Sequence, residues 1–352
     1  MAKVLMKGNE AIAEAAITAG CRHYFGYPIT PQNEIPEYMA RRMPQVNGTF
    51  VQAESEIAAI NMVYGAAGAG ARVMTSSSSP GISLKQEGLS YIAGAEIPCV
   101  VVNMVRGGPG LGSIQPAQSD YYQATRGGGH GDYRMIVLTP ASVQEAVEMT
   151  VQAFDLADKY RMTVMLLGDG MIGQIMEPVD LDAVKTLMAP AVEKPWATTG
   201  MKNHPGRNVV NSLYIQPDVL EKVNERLEAK YREVEREVAA HEEMMMEDAQ
   251  IVLAAFGTTA RICKSAVRMA RAKGIKAGLI RPKTVWPFPY AAFEKAAEQA
   301  QSILCVEMNM GQMIDDVRIA AAGRCPVSFY GRSGGMVPTP EEIVAAIEKA
   351  VK

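Results

Sequence analysis

Strand-like and helix-like segments alternate from residue 1 to about residue 175, and this alternation constrains the fold more than any other feature of the sequence. Short apolar runs rich in β-branched residues, such as residues 98–105, are separated by longer segments with helical periodicity, such as residues 142–159. Strands and helices that alternate at this spacing build a parallel sheet with helices on both faces. The sequence therefore predicts an α/β fold around a parallel sheet.

A second stretch with the same alternation begins near residue 250 and is separated from the first by two unlike segments. Residues 177–218 are rich in proline, lysine and asparagine and lack periodicity, whereas residues 219–247 are heavily charged and have a helical pattern. A charged helix of this kind usually lies in solvent as a connector. We predict a first domain at residues 1–190, a linker with the charged helix at 191–248, and a smaller α/β domain at 249–352.

The composition is that of an ordinary globular protein, with 352 residues of which 48% are hydrophobic and 21% charged, and a formal net charge of -3. This balance offers no basic surface for nucleic acid or for an anionic membrane. The sequence has no signal peptide and no apolar run of about 18 residues or more, so we expect no membrane insertion. These features predict a cytoplasmic protein.

Five cysteines are scattered singly through apolar segments, and none forms a CxxC pair. They are Cys21, Cys99, Cys263, Cys305 and Cys325. Cysteine-ligated clusters and zinc sites use closely spaced thiolates, so the sequence encodes neither by a local motif. We expect reduced thiols buried in the core.

Two prolines, Pro28 and Pro31, bracket Thr30 just after the first predicted strand. Because proline fixes φ and restricts the residue before it, Ile29 and Thr30 should lie in a stiff turn that holds the Thr30 hydroxyl. The end of a first strand is where an α/β domain presents ligand-binding groups. The same residues also suit a helix start, with Thr30 as the N-cap and Glu34 closing a capping box. The local sequence leaves both interpretations open.

Two carboxylates, Glu54 and Glu56, stand at the start of a predicted helix directly after a predicted strand. The helix dipole favours a carboxylate in the first turn, which accounts for at least one of them. Alternatively, one carboxyl turns into a cleft, where it could share a proton with a bound heterocycle. The local sequence does not decide between these roles.

Two loops follow the next predicted strands. Residues 76–81 are four serines followed by Pro-Gly, which make a polar turn that a ligand can approach closely. Residues 106–112 only loosely match the GxGxxG dinucleotide fingerprint, because a proline intrudes and no helix follows promptly, so we reject a Rossmann dinucleotide site. What remains is Arg106, a cation at a strand end among glycines, which would suit a carboxylate substrate.

The triplet at residues 168–170, Gly-Asp-Gly, begins the magnesium and diphosphate motif in thiamine diphosphate enzymes, but the paired asparagines that complete the motif are missing here. We therefore predict that Asp169 caps a helix or turn rather than binding a metal. The histidines lack the spacing of metal ligands; they are His23, His130, His204 and His241. No metal site is predicted.

Six segments, spread in order over nearly the whole chain, share the motifs of one family. They are Tyr-Pro-Ile-Thr-Pro at 27–31, Gln-Ala-Glu-Ser-Glu-Ile-Ala-Ala at 52–59, Ser-Pro-Gly at 79–81, Arg-Gly-Gly-Pro at 106–109, Arg-Pro-Lys-Thr-Val-Trp-Pro-Phe-Pro at 281–289 and Val-Glu-Met-Asn-Met-Gly-Gln at 306–312. With these motifs the chain resembles the alpha subunit of 2-oxoacid:ferredoxin oxidoreductases. The resemblance is strongest to the branched-chain type, which acts on 3-methyl-2-oxobutanoate.

The resemblance implies a fold and an activity. The first domain would be the pyrimidine-binding half of a thiamine diphosphate site, and the last a transketolase C-terminal-like α/β domain. The enzyme would convert a 2-oxoacid and coenzyme A into acyl-CoA and carbon dioxide and pass electrons to ferredoxin, as in branched-chain amino acid catabolism. The alternatives are a 2-oxoglutarate or pyruvate enzyme, or a non-catalytic docking subunit.

The resemblance also implies partner subunits, without which the chain would be inactive. A beta subunit would carry the diphosphate and Mg2+ motif, in agreement with the missing asparagines. A ferredoxin-like iron–sulfur subunit would carry the [4Fe-4S] clusters, in agreement with the scattered cysteines. A gamma subunit would complete the hetero-oligomer.

The resemblance assigns roles to individual residues. The family glutamate lies nine residues before a helix glycine matched by Gly65, which places it on Glu56. That glutamate bonds N1′ of the aminopyrimidine and favours its imino form. The family threonine and arginine fall on Thr30 and Arg106, near the substrate carboxylate and carbonyl. The remaining expected cofactor contacts are Pro28, Ile29, Ser79 and Gly81.

Overall fold

The computed structural model describes residues 3–201 and 206–350, and His204 lies outside the described residues. The strands of the described residues form sheets of seven, five and two strands. The two larger sheets are mostly parallel and follow one another along the chain, which confirms the predicted α/β class.

The N-terminal part alternates strand and helix, as expected. Its strands are β1 (Val4–Lys7), β2 (His23–Gly26), β3 (Thr49–Gln52), β4 (Val73–Ser77), β5 (Cys99–Val105), β6 (Ile136–Leu138), β7 (Thr163–Asp169) and β8 (Met176–Val179). Its helices are α1 (Gly8–Thr18), α2 (Glu34–Arg42) with a 3-10 turn at Met43–Val46, α3 (Glu56–Gly68), α4 (Pro80–Gly94), α5 (Tyr121–Arg126), α6 (Val143–Tyr160), α7 (Gly170–Gln174) and α8 (Leu181–Lys185).

The C-terminal part begins with a long helix. Its helices are α9 (Pro217–Val238), α10 (Gly257–Ala272), α11 (Tyr290–Gln299), α12 (Met313–Ala321) and α13 (Pro340–Ala350). Its strands are β9 (His241–Met244), β10 (Ile251–Ala254), β11 (Ala277–Pro282), β12 (Thr284–Trp286), β13 (Ser302–Glu307) and β14 (Val327–Gly331).

The seven-stranded sheet has the order β12-β6-β7-β5-β4-β2-β3, and every pair in it is parallel except β12 with β6. The five-stranded sheet has the order β14-β13-β10-β11-β9, with only β9 antiparallel to its neighbour. Strands β1 and β8 pair antiparallel as a separate two-stranded sheet. In both large sheets the central strands are apolar and buried, as expected for sheets covered on two faces.

Short polar side chains fix where several helices begin. The Ser55 hydroxyl accepts from the backbone N–H of Ala58 at 3.1 Å and so caps α3. Ser142 caps α6 in the same way through the N–H of Glu145, at 3.2 Å. Helix α4 instead begins with a proline, Pro80, whose φ already suits a first helical turn. The predicted serine-rich loop is therefore shorter than expected, because Pro80 and Gly81 belong to α4.

The charged segment predicted as one solvated helix behaves differently. Helix α9 ends at Val238, and β9 then adds an edge strand to the five-stranded sheet. One face of α9 is buried, which corrects the prediction of a connector in solvent. The buried residues recur every three or four positions, and they are Val223, Leu227, Tyr231, Val234 and Val238. The many charges of the helix lie on its other faces, so they hide this apolar stripe in the sequence.

The motif at residues 281–289 joins the two parts of the chain. Strand β12 lies within it and pairs with β6 at the edge of the N-terminal sheet. The buried Arg281 donates to the Glu145 carboxylate of α6 at 2.7 and 2.5 Å. Gln118 adds a second link, because its side chain donates to the Phe256 carbonyl and accepts from the Met308 N–H. The two sheets are thus tied by polar contacts as well as by packing.

All five cysteines are buried and free, as the sequence predicts. None of the helices within residues 3–201 and 206–350 is both long and apolar enough to cross a membrane.

Candidate active site

Four predicted site residues lie at the carboxyl edge of the N-terminal sheet. Thr30 follows β2, Glu56 follows β3, Ser79 follows β4 and Arg106 follows β5. These strands are neighbours in the order β3-β2-β4-β5 and run parallel. The fold therefore brings residues from four distant segments to one edge, where open α/β sheets bind ligands.

The turn at Thr30 is not a helix cap. Helix α2 begins at Glu34, and its N-cap position is taken by Asn33. The Thr30 hydroxyl accepts a hydrogen bond from Asn33 Nδ2 at 3.3 Å instead of bonding to a helical N–H. The capping-box alternative is therefore wrong, because the turn places Thr30 before the helix and leaves its hydroxyl proton free to donate.

Two amide side chains hold this turn in place. The Pro31 carbonyl accepts from Asn9 Nδ2 at 2.8 Å and from Gln174 Nε2 at 3.0 Å. Both amides also donate to the Glu34 carboxylate, and Lys7 pairs with it at 3.1 Å. Burial works to raise the pKa of Glu34, but these hydrogen bonds outweigh it and hold that pKa below its usual range. Asn9 and Gln174 were not anticipated from the sequence.

Arg106 is buried, with 7% of its surface exposed, and it reaches across to the Thr30 turn. One terminal nitrogen donates to the Thr30 carbonyl at 3.0 Å, and the other donates to the Leu111 carbonyl at 3.0 Å. Its Nε is buried without a hydrogen-bond partner in the described part of the chain. Because a guanidinium carries five N–H donors, three of them remain available to a ligand.

Ser79 links the strand ends of β4 and β5. Its hydroxyl accepts from the Arg106 backbone N–H at 3.1 Å, and its own N–H donates to Asn103 Oδ1 at 3.1 Å. Asn103 in turn donates to Asp120 at 2.9 Å; burial raises the pKa of Asp120, although these polar contacts oppose the effect. Ser79 has a positive φ of 26°, which is unusual for a side-chain-bearing residue and typical of functional sites. A polar Asn103 inside the apolar strand β5 was a sequence signal for this network.

The two carboxylates at the start of α3 have different environments. Glu54 is exposed, whereas Glu56 is 6% exposed and faces the first turn of α4. A Cβ atom on Gly81 would lie 2.6 Å from Glu56 Oε1 and 2.0 Å from Ser77 Oγ, so only glycine fits there. No hydrogen bond between described residues uses the Glu56 carboxylate. Of the pair, Glu56 is therefore the buried carboxylate available to a ligand.

A buried lysine that the sequence did not reveal lies beside Glu56. Lys85 on α4 is fully buried, and its Nζ donates to Thr75 Oγ1 at 3.2 Å and to the Glu56 carbonyl at 3.4 Å. Burial lowers the pKa of Lys85 to about 8, while the negative charge of Glu56 opposes this effect. The hydroxyls of Ser77 and Ser78 nearby in sequence are buried and unpartnered among the described residues.

The remaining predicted contacts line the approach to this edge. Pro28 is exposed and Ile29 is half-buried, and both lie between β2 and the Thr30 turn. Gln32, just after Thr30, is buried, and its amide nitrogen donates to the Tyr27 carbonyl at 3.4 Å. Its amide oxygen accepts from the buried Ser76 hydroxyl at 2.5 Å.

Asp169 caps a helix, as predicted. Its carboxylate accepts from the N–H groups of Met171 and Ile172 at 2.9 and 3.2 Å, at the start of α7. Burial raises the pKa of Asp169, and these bonds oppose the effect. Within residues 3–201 and 206–350, no three histidine, cysteine or acidic side chains are grouped as metal ligands would be.

A cavity of about 640 Å³ opens beside Thr30. Apolar side chains from three separate segments contribute to its lining, among them Ile114, Met171, Ile175 and Val337. Polar side chains also line it, and they are Thr30, Asn33, Glu34, Gln115 and Gln174. The cavity therefore offers both apolar and polar contacts beside the Thr30 turn.

Two family profiles match successive parts of the chain. Residues 14–246 match the family described as "Pyruvate flavodoxin/ferredoxin oxidoreductase, thiamine diP-bdg", and residues 249–343 match "Pyruvate:ferredoxin oxidoreductase core domain II".

Similar proteins of known name extend over the whole chain. It is 49% identical to ketoisovalerate oxidoreductase subunit VorB of Methanothermobacter marburgensis, with 99% of this chain and 98% of the relative covered. The VorB subunit of Methanothermobacter thermautotrophicus is 47% identical with the same coverage. Among solved structures, 2-oxoglutarate:ferredoxin oxidoreductase from Magnetococcus marinus superposes with a TM-score of 0.88 at 28% sequence identity. The superposition covers 99% of this chain and 65% of that longer chain. The chain therefore belongs to the 2-oxoacid:ferredoxin oxidoreductase family.

Proposed function

We propose that this chain is the alpha subunit of a branched-chain 2-oxoacid:ferredoxin oxidoreductase. The family catalyses the oxidative decarboxylation of a 2-oxoacid with coenzyme A, giving acyl-CoA and carbon dioxide, with ferredoxin as the electron acceptor. The branched-chain preference is supported by the ketoisovalerate relatives at 49% and 47% identity over full length. The apolar side chains that line part of the cavity beside Thr30, such as Ile114 and Val337, also support it.

The buried Glu56 carboxylate is the observation that carries the proposal. It is poised for an aminopyrimidine ring, because it is almost fully buried, accepts no hydrogen bond from described residues, and faces a glycine that leaves room for a ligand. Thiamine diphosphate, when bound, supplies a carbon nucleophile that stabilises the negative charge left by decarboxylation. Glu56 would hold a proton at N1′ of the pyrimidine, Pro28 and Ile29 would contact the ring, and Ser79 and Gly81 would allow its close approach. These residues fit the cofactor.

Arg106 and Thr30 would bind the substrate. The Arg106 guanidinium keeps three N–H donors free after its bonds to the Thr30 and Leu111 carbonyls, so it can hold a carboxylate. The Thr30 hydroxyl accepts from Asn33 and can donate its own proton to the neighbouring 2-oxo group. The aliphatic side chain of the substrate would then extend into the cavity beside Thr30.

The other halves of the site belong to partner subunits in this proposal. Asp169, the one residue that matches the start of a magnesium motif, is engaged as the cap of α7. A beta subunit would therefore bind the diphosphate and Mg2+, a ferredoxin-like subunit would hold the [4Fe-4S] clusters, and a gamma subunit would complete the complex. The free, buried cysteines are in keeping with our proposal of a reducing cytoplasm.

The outer face of α3 is suited to docking the beta subunit. Ile57 is 50% exposed on this face, and Asn61 and Gly65 follow it at four-residue spacing and are also exposed. A Cβ on Gly65 would meet no atom within 4 Å, so this part of the helix is bare. On the neighbouring α4, Leu84 is likewise 49% exposed. Small and apolar residues on one helix face permit close packing against another helix.

A substrate panel on the complex co-purified from its source tests the proposal. We expect kcat/KM for 3-methyl-2-oxobutanoate to exceed that for pyruvate by at least about 10-fold, the usual discrimination of an aliphatic pocket. A preference for 2-oxoglutarate or pyruvate would assign the chain to one of those types instead. Full activity of a complex carrying Glu56→Ala would leave the chain with a docking role only.

A further inference from the structure

Lys85 is fully buried, but hydrophobic packing alone does not explain why a lysine occupies this position. Its ammonium forms no ion pair within the described parts of the chain, and its partners are the Thr75 hydroxyl at 3.2 Å and the Glu56 carbonyl at 3.4 Å. Burying a charged ammonium is costly when no carboxylate compensates it directly. A methionine of similar length would fill the same space without the free-energy cost of burying a charge. The amine at this position therefore indicates a functional role.

The position of Lys85 on α4 relates it to Glu56. Lys85 follows Gly81 by four residues, so the two lie on the same face of the helix. Glu56 lies against that face at two points. Its Oε1 is 2.6 Å from the position that a Cβ on Gly81 would take, and its carbonyl oxygen is 3.4 Å from Lys85 Nζ. The carboxylate and the backbone of Glu56 therefore both rest on one face of α4.

The charge around Lys85 comes from Glu56. Burial lowers the pKa of Lys85 to about 8, and the negative charge of Glu56 opposes this effect because it favours the ammonium form of Lys85. Strand β4 contributes only the uncharged Thr75 hydroxyl, and the next residue on α4, Gln86, is also uncharged. Among the described residues, the electrostatic coupling of Lys85 is thus a coupling to Glu56.

We propose that Lys85 is a positioning residue for Glu56, which holds the first turn of α3 through the Glu56 carbonyl and keeps a positive charge beside the Glu56 carboxylate. This inference rests on the proposed role of Glu56 at the pyrimidine ring. The ammonium attracts the Glu56 carboxylate, so it helps to hold that carboxylate where a bound heterocycle would meet it. This help is lost when Lys85 is deprotonated at alkaline pH.

The first test follows the titration of Lys85 itself, without cofactor. The full chain is labelled with 13C at the lysine ε position, and the Lys85 signal is assigned by its loss in Lys85→Met. We expect a midpoint near pH 8 that moves to lower pH in Glu56→Gln, because the carboxylate that favours the ammonium is gone, and stays in place in Glu54→Gln. A midpoint near the ordinary lysine value of about 10.4, or one unchanged in Glu56→Gln, would overturn the proposal.

The second test compares pH profiles of the assembled complex. Lys85→Met should lower kcat by about 10-fold, within the usual range for the coupling of two neighbouring side chains, while KM stays within a factor of two. Lys85→Arg keeps its charge at all pH values, so it should restore kcat and remove the loss of activity as pH rises through about 8. Wild-type kcat and an unchanged profile in Lys85→Met would contradict the proposal.

The two proposals can fail separately. If Glu56→Gln leaves turnover intact, the proposed role of Glu56 is wrong regardless of Lys85. If Glu56→Gln abolishes turnover and Lys85→Met does not affect it, only the role of Lys85 is wrong. Should the Lys85 variants not fold, the Lys85 signal is assigned instead as the lysine ε-carbon signal whose midpoint lies farthest below the ordinary value. The titration in Glu56→Gln and in Thr75→Val then still decides, since both variants keep the lysine. Thr75→Val removes an uncharged partner and should move the midpoint less than Glu56→Gln does.

Discussion

The Arg106 guanidinium donates a 3.0 Å hydrogen bond to the carbonyl oxygen of Thr30, which joins the end of β5 to the turn after β2. The two residues are 76 positions apart in the sequence, and β4 lies between their strands in the sheet. This contact fixes the Arg106 side chain against the Thr30 turn. The substrate-binding role proposed for the pair therefore depends on the planar shape of the guanidinium as well as on its charge.

Replacing Arg106 with lysine should impair catalysis although the charge is kept. A charge-assisted hydrogen bond contributes about 1.5 to 3 kcal/mol, so kcat/KM for the 2-oxoacid should fall about 10- to 100-fold. Steady-state kinetics of the assembled complex measure this. The same exchange at the exposed Arg268 of α10 is the control and should leave kcat/KM unchanged. Equal kinetics in both variants would remove Arg106 from the substrate site.

Thr30→Val should reduce turnover without destabilising the fold. The hydroxyl makes only a 3.3 Å bond with Asn33 and caps no helix, so its loss should change the free energy of unfolding by less than about 1 kcal/mol. The lost hydrogen bond to the substrate should lower kcat/KM about 10-fold, and Thr30→Ser should restore most of it. Thermal unfolding and kinetics are measured on the same samples. A stability loss with normal kinetics would assign Thr30 a structural role.

Glu56→Gln should lower turnover by at least about 100-fold, the low end for acid–base catalysis, because an amide cannot exchange the proton at N1′. Glu54→Gln provides a matched control two residues away, since Glu54 is exposed at the same helix start. Decarboxylation by the assembled complex is the measurement. Near-normal turnover of Glu56→Gln, or an equal loss in Glu54→Gln, contradicts the assignment.

Gly65→Gln should stabilise the isolated chain and weaken the assembly. Glutamine favours helix over glycine by roughly 0.5 to 1 kcal/mol, and no atom lies within 4 Å of the new Cβ. A bulkier side chain on the bare face of α3 should hinder close packing of a beta subunit. Co-purification of the subunits and thermal unfolding report the two effects. Ala345→Gln, on the exposed face of α13, should leave assembly intact; normal assembly of Gly65→Gln would exclude this face as the interface.

The ion pair between Glu145 and Arg281 should make stability depend on acidic pH. Burial favours the neutral acid, but bonds from Arg281 and the backbone hold the pKa of Glu145 at about 2. Because this is below the unfolded value of about 4.3, the pair stabilises the fold above pH 4.3, and the contribution is lost as pH falls toward 2.

Glu145→Gln should therefore cost about 2 to 3 kcal/mol of unfolding free energy at pH 7 and flatten the pH dependence below about 4.3. Urea unfolding at several pH values measures both quantities. Glu228→Gln is the control, because Glu228 lies exposed on α9 and its one ion pair with a described residue is with the exposed Arg232. An unchanged pH dependence in Glu145→Gln would show that the pair does not stabilise the fold.

The sequence by itself determined the class of fold and the strands at its centre. The apolar run that forms β5 and the periodic segment that forms α6 each identify one element, because buried parallel strands and amphipathic helices have distinct patterns. The motifs around Thr30, Glu56 and Arg106 fell at predicted strand ends for the same local reason. The buried state of the cysteines followed from their apolar neighbours.

Tertiary structure decided the elements that depend on a distant partner. The short strands β1, β9 and β12 lie at sheet edges and show no pattern of their own, because their backbone pairing comes from remote segments. The order β3-β2-β4-β5 is likewise set by packing, and it alone brings Thr30 next to Arg106. Lys85 is the clearest case: a lysine in a helical pattern indicates an exposed position, and only the packing of α3 against α4 places it in the core, beside Glu56.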